Sequence, residues 1–225
     1  MKSNKTTGRI FGSFFLIAFL AYGIGFGMVE SITNVPNSLS SILENQSMFI
    51  VGGILMAVVH TIVNLGLAVT VVPMLKQHSK SLTYGYFSAA IVSTLLLLIG
   101  AIFLILFLPL SEAFITTDSL DPSSFETIGV LLKKANFLSY QIGMAIWGIG
   151  GLFFCYLMGK LNRIPRVFVI WGLIGYVIFI AGTIAELFGI KIGVLFSIPG
   201  GLFEITLSIW LIVKGFQQPN QPIAV

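Results

Sequence analysis

One acidic side chain stands alone inside a long apolar segment near the carboxyl end of the chain. This residue is Glu204, and Ser208 follows it by four positions, on the same face of a helix. A charge at the centre of a bilayer costs about 2.5–3.5 kcal/mol on insertion scales, so Glu204 must carry a proton, have a partner or face other helices. A proton, a cation or a small polar solute could bind there.

His60 and Asn64 form a second polar pair with the same spacing in an earlier apolar segment. Counted from the outer ends of their segments, His60 is about 11 residues deep and Glu204 about 12, or about 16 and about 18 Å at helical rise. We therefore predict one intramembrane polar cluster of Glu204, His60, Asn64 and Ser208. The alternative is a neutral, hydrogen-bonded cluster that only holds the helices together.

The segment Pro199-Gly200-Gly201 directly precedes Glu204. Proline lacks an N–H and clashes with the preceding helical turn, and glycine is a poor helix former. These three residues therefore predict a kinked or interrupted helix. Interrupted helices beside a carboxylate are one way in which transporters build ion and substrate sites.

The composition indicates that membrane-spanning helices hold these polar residues in position. Of the 225 residues, 56% are apolar and only 9% are charged, and the mean hydropathy is +1.01. The apolar residues form charge-free blocks long enough for a helix to cross a hydrocarbon layer of ~30 Å. We predict an all-α, polytopic bundle of six transmembrane helices forming a single membrane domain, whose partner is the lipid bilayer. The predicted spans are residues 10–28, 49–75, 84–110, 139–161, 167–187 and 192–213.

The distribution of lysine and arginine predicts the orientation. With the amino terminus inside, nine of the 12 cationic residues fall in inner segments and three in outer ones, which is the asymmetry of the positive-inside rule. We therefore predict that both termini are cytoplasmic. Because the cations are spread over short loops, they do not indicate a nucleic-acid site.

The outer segment before the fourth span has two interpretations. Asp121 and Pro122 resemble the start of a helix, and Phe125, Ile128 and Leu132 recur at helical spacing. The segment is either a short amphipathic helix on the outer surface or an extension of the fourth span.

The spacing of His60 and Asn64, with six spans, resembles the rhomboid intramembrane proteases, in which such a pair serves the oxyanion. The likeness ends there, since Gly148-Ile149-Gly150-Gly151 has no serine nucleophile and the sixth span has no histidine. An inactive rhomboid-like protein remains an alternative. We expect no enzyme, cofactor or metal site, because the only cysteine, Cys155, lies in an apolar block and no metal-ligand motif is present.

The carboxyl-terminal part resembles a known family. Ile164-Pro165-Arg166, the run from Pro199 to Glu204, and Trp210 followed by Lys214-Gly215-Phe216 are similar to the bacterial membrane family called domain of unknown function 4386. That resemblance implies a multi-pass protein of the bacterial plasma membrane with no established activity. The favoured function is binding or transport at Glu204; the alternative is a noncatalytic structural or regulatory protein that acts through helix contacts.

Overall fold

The computed structural model describes residues 4–35, 38–116 and 122–218, and the described residues form helices and no strand. A short π-helical turn at Leu55–Val59 separates two of the helices. The α-helices are α1 (Asn4–Thr33), α2 (Ser38–Glu44), α3 (Gln46–Ile54), α4 (His60–Leu75), α5 (Lys80–Ile105), α6 (Phe107–Thr116), α7 (Pro122–Lys160), α8 (Arg166–Leu187) and α9 (Gly193–Lys214).

Six helical segments are long and apolar enough to cross a membrane, which confirms the predicted number of spans. Each predicted span lies within or close to one of them, because the length of an apolar block is set by the thickness of the bilayer. The segments are Lys5–Thr33, Gln46–Leu75, Lys80–Thr116, Ser123–Lys160, Arg166–Leu187 and Gly193–Lys214.

The segment before the fourth span is an extension of that span. Residues 122–160 form one continuous helix, α7, so this segment is not a separate surface helix. The predicted helix start at Asp121 lies outside the described residues.

The helices group into two compact units. The first unit consists of the described residues within Met1–Ile17, Val63–Thr94 and Gln141–Val225; the second consists of those within Ala18–Ile62 and Leu95–Tyr140. Each unit has its own buried apolar cluster. Phe11, Leu67, Phe154 and Leu207 belong to that of the first unit, and Ile42, Met56 and Phe107 to that of the second.

Helices α8 and α9 of the first unit pack closely through glycine. A Cβ atom placed on Gly175 would lie 3.3 Å from the Cα of Gly200, so side chains larger than hydrogen would push the two helices apart. In membranes such close approach of backbones is a main source of helix association. Where the two helices are connected, the Glu186 carboxylate accepts a hydrogen bond of 2.7 Å from the Gly193 N–H, which satisfies one of the free donors at the start of α9.

Of the two alternatives predicted for the sixth span, the interruption is wrong, since α9 runs without a break through Pro199, Gly200 and Gly201; the kink stays a prediction. Proline removes one backbone hydrogen bond, but contacts with α8 maintain the helix. The Trp171 indole N–H donates to the Pro199 carbonyl at 3.0 Å, and Gly200 lies against α8. The helix therefore continues through the proline and both glycines. The close approach of α8 and α9 explains Gly175, whereas a Cβ atom on Gly200 would make an ordinary contact at 3.6 Å.

Arg163 connects three parts of the first unit just after the carboxyl-terminal end of α7. The helix ends in a Schellman motif, in which Asn162 has a φ of 51° and the Arg163 N–H reaches the Met158 carbonyl at 3.0 Å. The Arg163 side chain, 5% exposed, then donates to Gln77 Oε1 at 3.3 Å and to the Gln217 carbonyl at 3.2 Å. Burial lowers the pKa of this guanidinium, since desolvation disfavours the charged form.

We expect Arg163→Ala to lower the free energy of unfolding by about 1–3 kcal/mol. Hydrogen bonds from charged groups contribute about 1.5–3 kcal/mol each, and these two are at the long end of the range. Unfolding in detergent by added dodecyl sulfate measures the change. Arg166→Ala is the matched control, since this arginine is exposed; equal losses in both variants would contradict the role given to Arg163.

Candidate functional site

The Glu204 carboxyl group is half-buried in the first unit and is bound by two neutral donors. The Trp147 indole Nε1–H and the Tyr176 hydroxyl both donate to Oε1, each at 2.8 Å. Trp147 lies on α7, Tyr176 on α8 and Glu204 on α9. The carboxyl group therefore joins three helices within their membrane-spanning segments.

The position of Glu204 on α9 follows from the apolar pattern of that helix. Phe203 and Leu207 are fully buried, and Glu204 and Ser208 lie beside them on the same face. Leu202 and Ile209, on the opposite face, are about half exposed. Because the apolar side chains direct one face inward, the carboxylate is directed inward as well.

Aromatic side chains hold the two donors in place. Tyr176 is 2% exposed, and its ring meets Phe203 edge-on at a centroid distance of 5.7 Å. Trp147 meets Phe15 edge-on at 5.9 Å. Edge-to-face pairs of this kind favour one orientation of each ring. The hydrogen bonds to Glu204 are thus made by side chains whose rotation is restricted.

A small cavity lies next to these donors. It is lined by both of them and by other aromatic side chains, and it offers about 10 Å³ to the centre of a water molecule, close to the minimum that one water requires. The Tyr86 hydroxyl, on the same cavity, is buried and has no hydrogen-bond partner in the described chain. The lining residues are Phe11, Phe15, Leu67, Tyr86, Ala90, Trp147, Gly150, Gly151, Phe154 and Tyr176.

Hydrogen bonds do not join the four predicted site residues into one cluster. Ser208 donates to the backbone carbonyl of Glu204 at 2.7 Å, so these two are linked. The Asn64 amide donates instead to Thr94 Oγ1 on α5, at 2.7 Å. His60 belongs to the second unit, where its ring contacts Tyr22 at a centroid distance of 5.1 Å.

Trp147 and Tyr176 are the partners that the sequence prediction missed. Both lie deep in predicted spans, and a buried tryptophan N–H or tyrosine O–H usually finds an acceptor. Glu204 is the only acid well inside a predicted span, so the need of buried tryptophan and tyrosine for an acceptor could have identified Trp147 and Tyr176 as its donors. Among the residues that the structure describes, no group of three or more metal-binding side chains is found.

The fold and the site together define an α-helical, multi-pass membrane protein with an intramembrane carboxyl group. Comparison with protein-family models matches residues 10–215 to the domain of unknown function DUF4386. Because the match covers most of the chain, the protein belongs to this family, as the resemblance in the sequence indicated. No curated protein and no solved structure matches the chain.

Proposed function

We propose that the protein is a membrane-embedded binding or transport protein in which Glu204 takes up and releases a proton or a small cation. One observation carries this proposal: an acidic group inside a membrane span is bound only by neutral donors in the described chain. Both hydrogen bonds go to Oε1, so Oε2 is the oxygen that can hold a proton or contact a cation. Ionisable groups in membrane spans are candidates for function by default.

The two donors to Glu204 also line the neighbouring cavity, whereas Glu204 itself does not. The cavity offers about 10 Å³ to the centre of a water molecule, which is about the space that one water requires. A small polar solute is the third possible ligand of Glu204, beside a proton and a small cation.

A structural role is the second candidate, and the same hydrogen bonds support it. The Glu204 carboxyl group joins α7, α8 and α9, and polar contacts between membrane helices stabilise bundles by about 0.6 kcal/mol on average. In this second proposal the protein has no ligand at Glu204 and acts through helix contacts, with the lipid bilayer as its main partner.

Thermal unfolding in detergent distinguishes the two candidates. The melting temperature is measured over a pH series and with Na⁺, K⁺ or NH₄⁺ at constant ionic strength, for the wild type and Glu204→Gln. Ligand stabilisation is about 2.7 kcal/mol at a hundredfold excess over Kd. Thr206→Ala, an exposed position on the same helix, is the control.

The binding proposal predicts a shift with pH or with one cation in the wild type and in Thr206→Ala, and no such shift in Glu204→Gln. Identical profiles for all three proteins would reject Glu204 as a binding residue. A wild-type protein that responds to neither pH nor cations, together with a Glu204→Ala variant that is less stable than Glu204→Gln, would favour the structural candidate.

We further propose that both termini are cytoplasmic, that the protein lies in a bacterial plasma membrane and that it is not an enzyme. The orientation is supported by the excess of lysine and arginine in inner segments, and reporter fusions at each terminus test it. The noncatalytic role is supported by the sequence of the spans, which has no serine nucleophile at residues 148–151 and no histidine base in the sixth span.

A further inference from the structure

A second group of polar side chains lies within the second unit, apart from the residues that bind Glu204. Tyr22 contacts the His60 ring at a centroid distance of 5.1 Å and stacks on Tyr140 at 5.8 Å. The Tyr22 hydroxyl also faces the Asn136 side chain without reaching good hydrogen-bond geometry. These four side chains form what we call the His60 cluster.

Three polar atoms of the His60 cluster are buried and have no hydrogen-bond partner in the described chain. They are the Tyr22 hydroxyl, His60 Nδ1 and Asn136 Nδ2, and His60 and Asn136 are only 5% and 7% exposed. Leaving one such group unpaired costs about 1–3 kcal/mol. Native proteins therefore satisfy nearly all of them, with protein atoms or with ordered water.

The backbone just before His60 is also unusual. Residues Leu55–Val59 form a π-helical turn, and the His60 N–H bonds to the Leu55 carbonyl, five residues earlier. Such a turn adds one residue to the helix and rotates the side chains that follow it. Single π turns inside α-helices occur frequently at functional sites. This one sets the direction of His60 relative to the residues of α3.

We propose that the His60 cluster binds a water molecule inside the membrane-spanning part of the second unit. Water can donate and accept, and a buried water typically makes about three hydrogen bonds, which matches the three unpaired atoms. The cluster contains no acid, lysine or arginine, so it offers no charged partner to an ion, whereas water can pair with its neutral polar atoms. This site is separate from the one proposed at Glu204. It would give His60 a water molecule as hydrogen-bond partner inside a membrane-spanning segment.

Magic-angle-spinning NMR of the full chain in lipid bilayers tests the proposal, with histidine labelled by ¹⁵N. The chain contains two histidines, His60 and His78, and His78→Gln assigns their signals. Because His78 is exposed, it is the internal positive control for transfer of magnetisation from water protons. The proposal predicts transfer from water to the His60 ring as well, at Nδ1.

The Tyr22→Phe variant removes one partner of the water with little change of shape, and we expect it to reduce the transfer to His60 at least twofold. In Tyr22→Phe combined with Asn136→Leu we expect the transfer to be lost, while the His78 signal persists. Transfer to His78 but not to His60 in the wild type would overturn the proposal. The proposal would also be overturned if the transfer to His60 were the same as in the wild type in Tyr22→Phe and, where it folds, in the double variant.

Discussion

Glu204→Ala is expected to destabilise the protein far more than Glu204→Gln. Alanine leaves the Trp147 N–H and the Tyr176 hydroxyl without their acceptor, at about 1–3 kcal/mol for each buried donor. Couplings measured between membrane helices are lower, at about 0.6 kcal/mol on average. We therefore expect the free energy of unfolding to fall by about 2–4 kcal/mol in the alanine variant.

The glutamine variant retains an acceptor of nearly the same shape. Its amide oxygen can accept both hydrogen bonds, so we expect a change of less than about 1 kcal/mol. Both variants are compared by unfolding in mixed micelles, with Thr206→Ala as a control on the exposed face of α9. Equal stability of the alanine and glutamine variants would show that the two donors do not depend on residue 204.

Gly151→Ala is expected to have the second large effect, because the added methyl group meets the ring of Tyr176. A Cβ atom on Gly151 would lie 2.3 Å from Cε2 and 2.4 Å from Cζ of that ring, far inside van der Waals contact. Tyr176 is nearly fully buried and is held by Phe203, so the ring cannot move away freely. Overpacking of this kind costs about 1–3 kcal/mol.

Displacing the Tyr176 ring also removes its hydrogen bond to Glu204, so we expect a total loss of about 2–4 kcal/mol in Gly151→Ala. Gly201→Ala is the matched control. A Cβ atom there meets nothing within 4 Å, and replacing a glycine inside a helix stabilises it by about 0.5–1 kcal/mol. The same unfolding assay compares the two, and equal stability would contradict the close contact at Gly151.

The number of spans could be predicted from the sequence, because an apolar helix must match the thickness of the bilayer. Glu204 could be proposed as a site residue, since an isolated acid in such a helix is conspicuous. Ser208 could be placed with it because residues four apart share a helix face. These predictions use only distances along one helix.

The partners of Glu204 depend on how the helices are rotated about their axes, which the sequence does not specify. Counting residues from the predicted outer ends of the spans placed His60 and Glu204 at a similar depth. That count could not predict which side chains would form hydrogen bonds with each of them. The Asn64 amide bonds to Thr94 on another span. The π-helical turn before His60 adds a rotation for which the sequence has no recognised signal.

At Pro199, too, the sequence alone did not predict the local structure. Proline and two glycines favour a break when the helix is considered alone. In the bundle, Gly200 lies against Gly175 and Trp171 donates to the Pro199 carbonyl, so tertiary contacts maintain the helix. Local preference is overruled where packing supplies more free energy than the helix loses.

Infrared difference spectroscopy over a pH series, on the protein in lipid bilayers, tests most directly whether Glu204 exchanges a proton. We predict a carbonyl band of a protonated carboxylic acid that changes with pH, is shielded from hydrogen-bonding to bulk water and is absent in Glu204→Gln. The band should persist in Thr206→Ala. A spectrum in which the wild type and Glu204→Gln have the same carboxylic acid bands at every pH would contradict proton uptake at Glu204.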